Sequence, residues 1–381
     1  MDVWYGRHDS AWDDTQQELF AAGITDGLPV VPPTRERVTQ MLEDAGLNGD
    51  DIITTLPPAF EDATWRDVAI NAVMAGCLPL YLPVVGAAIA AIADAEFNLI
   101  GIATTTGSAA PVVIVNGPIV RRLSLNAEGN CLGPGNRANA TIGRAVSLAL
   151  RNIGGAKPGE LDMSTLGQPC KYTCCFAENE SASPWAPLHV ERGFDVSADV
   201  VTVVGISGTG EIVDSSSNKA EDLAQTFAQS MLIAGTAGGG GHGLLGGGEP
   251  LLIMPPEIAH AFQRAGCSKQ DAKAAIFERA VMPLDRLSGA IRQHLIELRT
   301  SADDSDPTAP LRVAHQADDV MIVVAGGVGV KAAYAPTWGG TTKAVSRLSA
   351  EVARSRRRRH EFSACGCGAI CTTFAGTRLS T

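Results

Sequence analysis

The chain has 381 residues, with 30 basic and 41 acidic side chains, and its formal net charge is −11 at pH 7. This acidity argues against nucleic acid as a partner, because phosphate contacts need a basic surface. Hydrophobic residues make up 45% of the chain and charged residues 19%, which excludes a disordered or fibrous protein. Aromatic residues are only 5%, so aliphatic side chains must build the core.

Short apolar runs and helical patterns alternate from the N-terminal part onward. Residues 28–31 predict a β-strand, Thr34 opens a helix that ends near Gly46, and Thr64 is the predicted N-cap of the next helix. Residues 78–93 form the most apolar stretch, which is shorter than the roughly 20 residues that a membrane span needs. We therefore expect a buried helix there and no membrane partner.

The same alternation continues to the C-terminal part. Apolar runs predict strands at residues 99–103, 112–115, 200–204, 251–254 and 320–324. Helical patterns occur at residues 141–152, 220–234 and 258–265, and after the capping residue Ser268. This order predicts an α/β fold with mostly parallel or mixed sheets flanked by helices, and ligands are expected beyond the carboxyl ends of the strands.

Two α/β lobes with a cleft between them are one interpretation of this pattern. The N-terminal lobe would cover residues 1–155 and the C-terminal lobe residues 168–350, with a turn-rich segment between them. One continuous domain is the alternative at this length. Residues 354–381, which begin with a basic run, are predicted to form a disordered tail.

Cysteine usage favours a reducing compartment. The chain has nine cysteines, an odd number without the even spacing of a disulfide framework, and its first residues lack a secretory signal. We therefore expect a cytoplasmic protein. Cys365, Cys367 and Cys371 in the tail could suggest a metal or thiol motif, but three sulfurs at this spacing do not match zinc or iron–sulfur sites.

A glycine-rich loop before the helix at residues 141–152 is the first candidate site. Its polar residues are Asn136, Arg137, Asn139 and Thr141. Backbone N–H groups at a helix start, together with an arginine, can bind phosphate or carboxylate, whereas the alternative is a structural loop that caps the helix. Asn116, after a predicted strand, and Lys331, after a glycine pair, are further candidates for contacting an anionic substrate.

The second candidate site lies around a predicted β run. If the chain is extended there, Glu178 and Glu180 share one face by the period of two, beside adjacent cysteines that include Cys175. Such groups can supply a thiolate nucleophile, an acid and a base, or ligands for a cation together with His189. The alternative is that the cysteines are small buried hydrophobic residues. Cys77, at a predicted helix end, is a further candidate thiol.

A second glycine cluster, residues 238–248, contains His242. An imidazole among residues without side chains would be accessible and could act as acid, base or metal ligand, whereas the alternative is a flexible surface linker. We expect His242 and Cys175 to converge on one cleft, where the imidazole would activate the thiol.

Several segments resemble the UGSC family of bacterial selenocysteine or cysteine proteins, over roughly residues 23–350. The resemblance is carried by residues 26–34 (DGLPVVPPT), 71–77 (NAVMAGC), 133–144 (GPGNRANATIGR), 178–180 (ENE) and 183–185 (SPW). It implies a redox or carbon–heteroatom enzyme. The naming motif of the family, selenocysteine or cysteine followed by Gly-Ser-Cys, is absent here, which weakens any selenol or thiol–disulfide assignment.

Three functional classes remain open from the sequence. The first is an enzyme that acts on a small anionic metabolite by thiol-assisted redox or carbon–heteroatom chemistry. The second is a metal-assisted or acid–base hydrolase or lyase, and the third is a noncatalytic binding or partner subunit. The sequence does not identify the cofactor. The expected partners are a small-molecule substrate, a redox partner protein and a second copy of the chain.

Overall fold

The computed structural model describes residues 12–233, 248–302, 304–339, 342–349 and 352. The strands are β1 (Ile52–Leu56), β2 (Glu61–Thr64), β3 (Ala110–Asn116), β4 (Cys175–Ala177), β5 (Val200–Ile206), β6 (Gly210–Val213), β7 (Leu251–Met254), β8 (Val281–Met282), β9 (Leu311–Arg312), β10 (Met321–Val324), β11 (Lys331–Ala335) and β12 (Val345–Leu348). The helices are α1 (Trp12–Ala21), α2 (Arg35–Ala45), α3 (Trp65–Ala75), α4 (Leu82–Ile92), α5 (Leu99–Thr104), α6 (Ile119–Arg122), α7 (Arg137–Asn152), α8 (Leu188–Glu191), α9 (Ala220–Met231), α10 (Pro256–Arg264), α11 (Lys269–Arg279) and α12 (Gly289–Ser301).

Two four-stranded sheets form the centre of the molecule. The first has the strand order β12-β5-β3-β4 and the second the order β10-β7-β11-β6. Each sheet is mixed: β3 is parallel to β4 and antiparallel to β5, and β7 is parallel to β10 and antiparallel to β11. The predicted α/β class, in its mixed-sheet form with flanking helices, is confirmed.

The two sheets pack against each other, which gives four layers in the order helices, sheet, sheet, helices. In β3, Val113 faces the helices whereas Ile114 faces the second sheet. In β7, Leu252 faces the helices of the other side whereas Ile253 faces the first sheet. Successive side chains of a strand point to opposite faces, so both faces of each sheet are buried.

Helices cover both sheets in the regions where the sequence predicts them, although α7 begins at Arg137 rather than Thr141 and α9 ends at Met231 rather than at residue 234. α3, α4 and α7 cover the first sheet, and α9, α10 and α11 cover the second. α3 starts with a capping box, in which Thr64 Oγ1 accepts a hydrogen bond from Asp67 N at 3.2 Å and the Asp67 carboxylate accepts one from Thr64 N at 3.2 Å. α2 begins after Thr34 and ends at Gly46, whose left-handed φ of 67° favours glycine.

Two predicted strands are wrong. Residues 99–103 lie in α5, because the Asn98 side chain caps that helix by accepting a hydrogen bond from Gly101 N at 3.2 Å. Residues 28–31 belong to no strand. There the Gln16 amide replaces a strand partner, since it bonds to both the N–H and the carbonyl of Val30, at 3.0 and 2.9 Å.

The first sheet contains strands from both of the lobes that the sequence predicts. β3 lies before residue 155, yet its sheet also contains β4, β5 and β12, which lie after residue 168. The division into two lobes stays a prediction, and the tail at residues 354–381 lies outside the described residues. Within the described ranges, none of the helices combines the length and the apolarity that a membrane crossing requires.

Candidate functional site

Polar groups meet at the edge of the sheets where β3, β4 and β10 end. β3 ends at Asn116, and its parallel neighbour β4 ends one residue before Glu178. The backbone N–H of Asn179 donates to the carbonyl of Val324, the last residue of β10, at 2.7 Å. Carboxyl ends of strands from both sheets therefore converge, which is the usual position of ligand sites in α/β folds.

The side-chain amide of Asn116 joins two carboxyl groups at this edge. Its Nδ2 donates to Glu178 Oε2 at 2.7 Å and to Glu180 Oε1 at 2.9 Å. The backbone N–H of Leu188 donates to the same Glu178 oxygen, and that of Gly117 to the same Glu180 oxygen, both at 2.7 Å. Two donors therefore fix each carboxyl group, and three residues singled out in the sequence lie together.

The two carboxyl groups have different surroundings. Glu178 is only 2% exposed, and this burial raises its pKa. The positive charge of Lys269 and the two hydrogen bonds that Glu178 accepts oppose this increase. The negative charge of Glu180 raises the pKa of Glu178 further. Glu180, by contrast, exposes 27% of its side chain, and no described residue donates a hydrogen bond to its Oε2. Burial thus favours a proton on Glu178, whereas Glu180 reaches solvent.

His189 lies behind Glu180. Its ring is completely buried in α8, with Nδ1 at 3.7 Å from Glu180 Oε1 and Nε2 at 3.4 Å from the carbonyl of Val196. A carbonyl can only accept a hydrogen bond, so we assign the hydrogen to Nε2 in the neutral ring. Nδ1 then carries the lone pair of the ring, on the side of Glu180 Oε1.

Three polar atoms of this cluster are buried without a hydrogen-bond partner among the described residues. They are Asn116 Oδ1, Glu178 Oε1 and His189 Nδ1. Leaving a buried donor or acceptor unpaired costs about 1–3 kcal/mol, so most native proteins contain few of them. Three such atoms in a single cluster indicate that the cluster is not optimised for stability alone.

Two buried lysines stand close to these acids, and the sequence analysis missed both. Lys269 and Lys273 each contact the carboxylate of Glu191, the latter at 3.0 Å, and Lys269 also donates to the carbonyl of Ala186 at 3.1 Å. Their side chains are 7% and 8% exposed. A lysine just after a helix cap resembles a surface residue, and only the packing of α11 on α8 reveals its burial.

The candidate thiols lie in the apolar core. Cys175 is buried on the helix side of β4 beside Cys77, and burial raises the pKa of the Cys175 thiol. The Cys77 thiol donates to the carbonyl of Thr141 at 3.3 Å, and burial raises its pKa to about 12. A thiolate is therefore disfavoured at both positions.

In the glycine-rich loop, two asparagines hold the backbone. Asn136 caps α7 by accepting a hydrogen bond from Asn139 N at 2.9 Å. The Asn139 amide donates to the carbonyls of Asn126 and Cys131, at 2.9 and 3.1 Å, and accepts from Asn126 N at 2.9 Å. Both side chains therefore bond to this loop itself.

The other two polar residues of that loop also bond to backbone. Arg137 donates through Nε and Nη2 to the carbonyl of Gly76, at 3.1 and 2.9 Å, and Thr141 Oγ1 donates to the carbonyl of Arg137 at 2.8 Å. Anion binding by this loop stays a prediction. Lys331 is exposed at the start of β11, and His242 lies outside the described residues, so its convergence with Cys175 also stays a prediction.

Comparisons with known proteins return no matching family model, no matching curated protein and no matching solved structure. The resemblance to the UGSC family therefore stays a prediction. Glu178, Glu180 and His189 were also predicted as metal ligands. Over the described part of the chain, no group of three or more His, Cys, Asp or Glu side chains has an arrangement that could hold a metal ion.

Proposed function

We propose that the protein is an enzyme that acts on a small metabolite by acid–base chemistry, with Glu180 as the group that exchanges a proton with the substrate. The observation that carries the proposal is the pair of carboxyl groups joined by Asn116, of which Glu178 is buried and Glu180 reaches solvent. Enzymes that use two carboxyl groups in different roles commonly separate them by such a difference in environment.

Glu180 is well arranged to act as a base. Its Oε1 is held by two donors, so the carboxyl group stays in one orientation while Oε2 can meet a substrate. His189 packs against Glu180 from the buried side, with Nδ1 at 3.7 Å from Oε1, and we assign it a positioning role. Glu178 is too buried to contact a substrate, and we assign it a positioning role through Asn116.

Thiol chemistry at Cys175 has less support. A nucleophilic cysteine needs its thiolate form and access to substrate, whereas Cys175 is buried and its pKa is raised. Acid–base hydrolysis or elimination therefore takes precedence over the thiol-assisted redox chemistry considered from the sequence.

The test is an untargeted mass-spectrometric comparison of a metabolite mixture incubated with wild-type protein, Glu180→Gln, Cys175→Ser and the control Glu43→Gln. Glu43 is an exposed carboxylate on α2. We expect wild-type protein, Cys175→Ser and Glu43→Gln to consume the same compound and Glu180→Gln to lose about 100-fold or more of the rate. Loss in Cys175→Ser with full activity in Glu180→Gln would favour the thiol route. Ligand depletion without turnover would favour a binding subunit.

A further inference from the structure

A cavity of about 610 Å³ lies near the start of β3, at the end of the strand opposite to Asn116 and Glu180. It is formed by the C-terminal half of α7 and by the loop at residues 156–172, which precedes β4. Its volume falls within the range of about 300–1,000 Å³ that is typical of small-molecule sites. The cavity shares no lining residue with the cluster around Asn116, so it would be a second site.

Both carboxylates that line the cavity are paired with a cation, whereas its arginine, Arg151, has no charged partner among the described residues. Asp162 is paired with Lys171 at 2.6 Å, and Asp26 is paired with Arg144 through two hydrogen bonds of 2.8 Å. Arg151 has no carboxylate within 4 Å among the described residues. One positive charge therefore remains uncompensated at the cavity wall.

The guanidinium group of Arg151 also has unused donors. Its Nη2 makes one long hydrogen bond, 3.3 Å, to the carbonyl of Gly23, and its Nε is buried without a partner in the described part of the protein. A guanidinium group presents five N–H donors in a planar fork that matches a carboxylate. A carboxylate in the cavity would supply the missing charge and an acceptor for the terminal guanidinium nitrogens, whereas the buried Nε is out of its reach.

The rest of the wall combines apolar surface with the polar residues Ser147, Ser164 and Gln168. Leu166 is 95% exposed and Tyr172 47% exposed, so both present apolar surface that a ligand could cover. A narrow recess of about 60 Å³ adjoins the cavity and extends toward the apolar residues at the start of β3. It shares Ser147, Ala156 and the ion pair Asp162–Lys171 with the cavity. The cavity thus combines one uncompensated cationic group, Arg151, with apolar surface that a hydrocarbon chain could cover.

We infer that this cavity binds a small monocarboxylate with an apolar chain, its carboxylate on Arg151 and its chain against Tyr172 and the recess. A doubly charged phosphate fits less well, because Asp26 and Asp162 also line the cavity and only one cation is uncompensated. The inference concerns a ligand class and does not depend on the reaction at Glu180.

The test is isothermal titration calorimetry of the full chain with butyrate, hexanoate, hexylammonium and hexyl phosphate. We expect hexanoate to bind more tightly than the other three ligands. Arg151→Gln should weaken hexanoate binding roughly 10- to 150-fold, the loss of a charged hydrogen bond, whereas Arg264→Gln, which removes an exposed arginine on α10, should leave it unchanged.

A second variant keeps the test decisive if Arg151→Gln fails to fold. Ala156→Leu retains the arginine but narrows the recess, so it should remove most of the advantage of hexanoate over butyrate. No binding of hexanoate by the wild-type chain, or equal binding by wild type and a folded Arg151→Gln, would overturn the assignment. Tighter binding of hexyl phosphate would overturn the choice of carboxylate, and an unchanged preference in Ala156→Leu would overturn the role of the recess.

Discussion

Replacing Glu178 by glutamine tests whether this carboxyl group is neutral in the folded protein. Burial raises the pKa of Glu178 above its ordinary value of 4.5, so the folded state retains a proton that the unfolded chain releases. Linkage then requires the stability contribution of Glu178 to be greatest below pH 4.5 and to be lost as the pH rises toward the folded-state pKa. Glutamine resembles the neutral carboxylic acid and does not titrate.

The unfolding free energy of wild type minus that of Glu178→Gln should therefore decrease as the pH rises. One proton is involved, so the slope can reach at most about 1.4 kcal/mol per pH unit, and the difference should level off above the folded-state pKa. Denaturant unfolding of both proteins at half-unit steps from pH 4 to pH 8 measures this difference in unfolding free energy. Other titrating groups cancel in the difference, and Glu43→Gln on α2 controls for the loss of one exposed carboxylate.

The opposite slope would refute this reasoning. If the positive charge of Lys269 and the hydrogen bonds from Leu188 and Asn116 outweighed burial, the folded-state pKa of Glu178 would be depressed. The difference would then increase with pH, and Glu178 would be a buried carboxylate paired with a buried ammonium group. A difference in unfolding free energy that does not change with pH would show that the pKa of Glu178 is not shifted.

Three other predictions follow from the same structure. In native protein, iodoacetamide should modify the partly exposed Cys267 well before Cys175, since Cys175 is buried with a raised pKa; equal rates by peptide mass spectrometry would contradict this. Asn139→Ala removes three side-chain hydrogen bonds, one of them fully buried, and should lower the free energy of unfolding by about 2–4 kcal/mol, with a change below 1 kcal/mol arguing against its role in the loop. Gly117→Ala should cost more than about 3 kcal/mol, because φ is +90° and a Cβ would lie 2.0 Å from the carbonyl oxygen of Ala198; a protein of wild-type melting temperature would contradict it.

The sequence predicts the most apolar strands of the two sheets but misses β6, β11 and β12, and it does not predict how the strands are arranged. Residues 112–115, 200–204 and 251–254 read as strands because of their continuous aliphatic runs, and β3, β5 and β7 confirm them. Such runs show only that both faces of a strand are buried. They do not show whether the second face meets a helix, as in a doubly wound sheet, or another sheet, as here.

Local capping explains the prediction that failed at residues 99–103. Five apolar residues fit a short strand as well as a buried helix, and the decision depends on Asn98, whose side chain caps the helix. The capping boxes of α3 and α11 were easier to predict, because Thr64 and Ser268 each precede an aspartate by three residues.

The candidate site was only partly predictable for a related reason. The spacing of two predicts that Glu178 and Glu180 share a face if the chain is extended there, whereas β4 ends at Ala177 and both side chains instead meet at Asn116. Their contact with Asn116, 62 and 64 positions away, depends on the parallel pairing of β3 with β4, which no local pattern specifies. Arg137 shows the reverse case, since its loop has the composition of an anion site while its side chain bonds to a backbone carbonyl.

The ratio of kcat/KM between Glu43→Gln and Glu180→Gln, for the compound that the wild-type protein consumes, tests the central claim most directly. The assignment of Glu180 as the proton-exchanging group predicts a ratio of about 100 or more, with the two proteins unfolding at similar temperatures. A ratio within twofold of one would contradict the claim, because a carboxyl group that exchanges a proton with the substrate cannot be replaced by an amide without loss of rate.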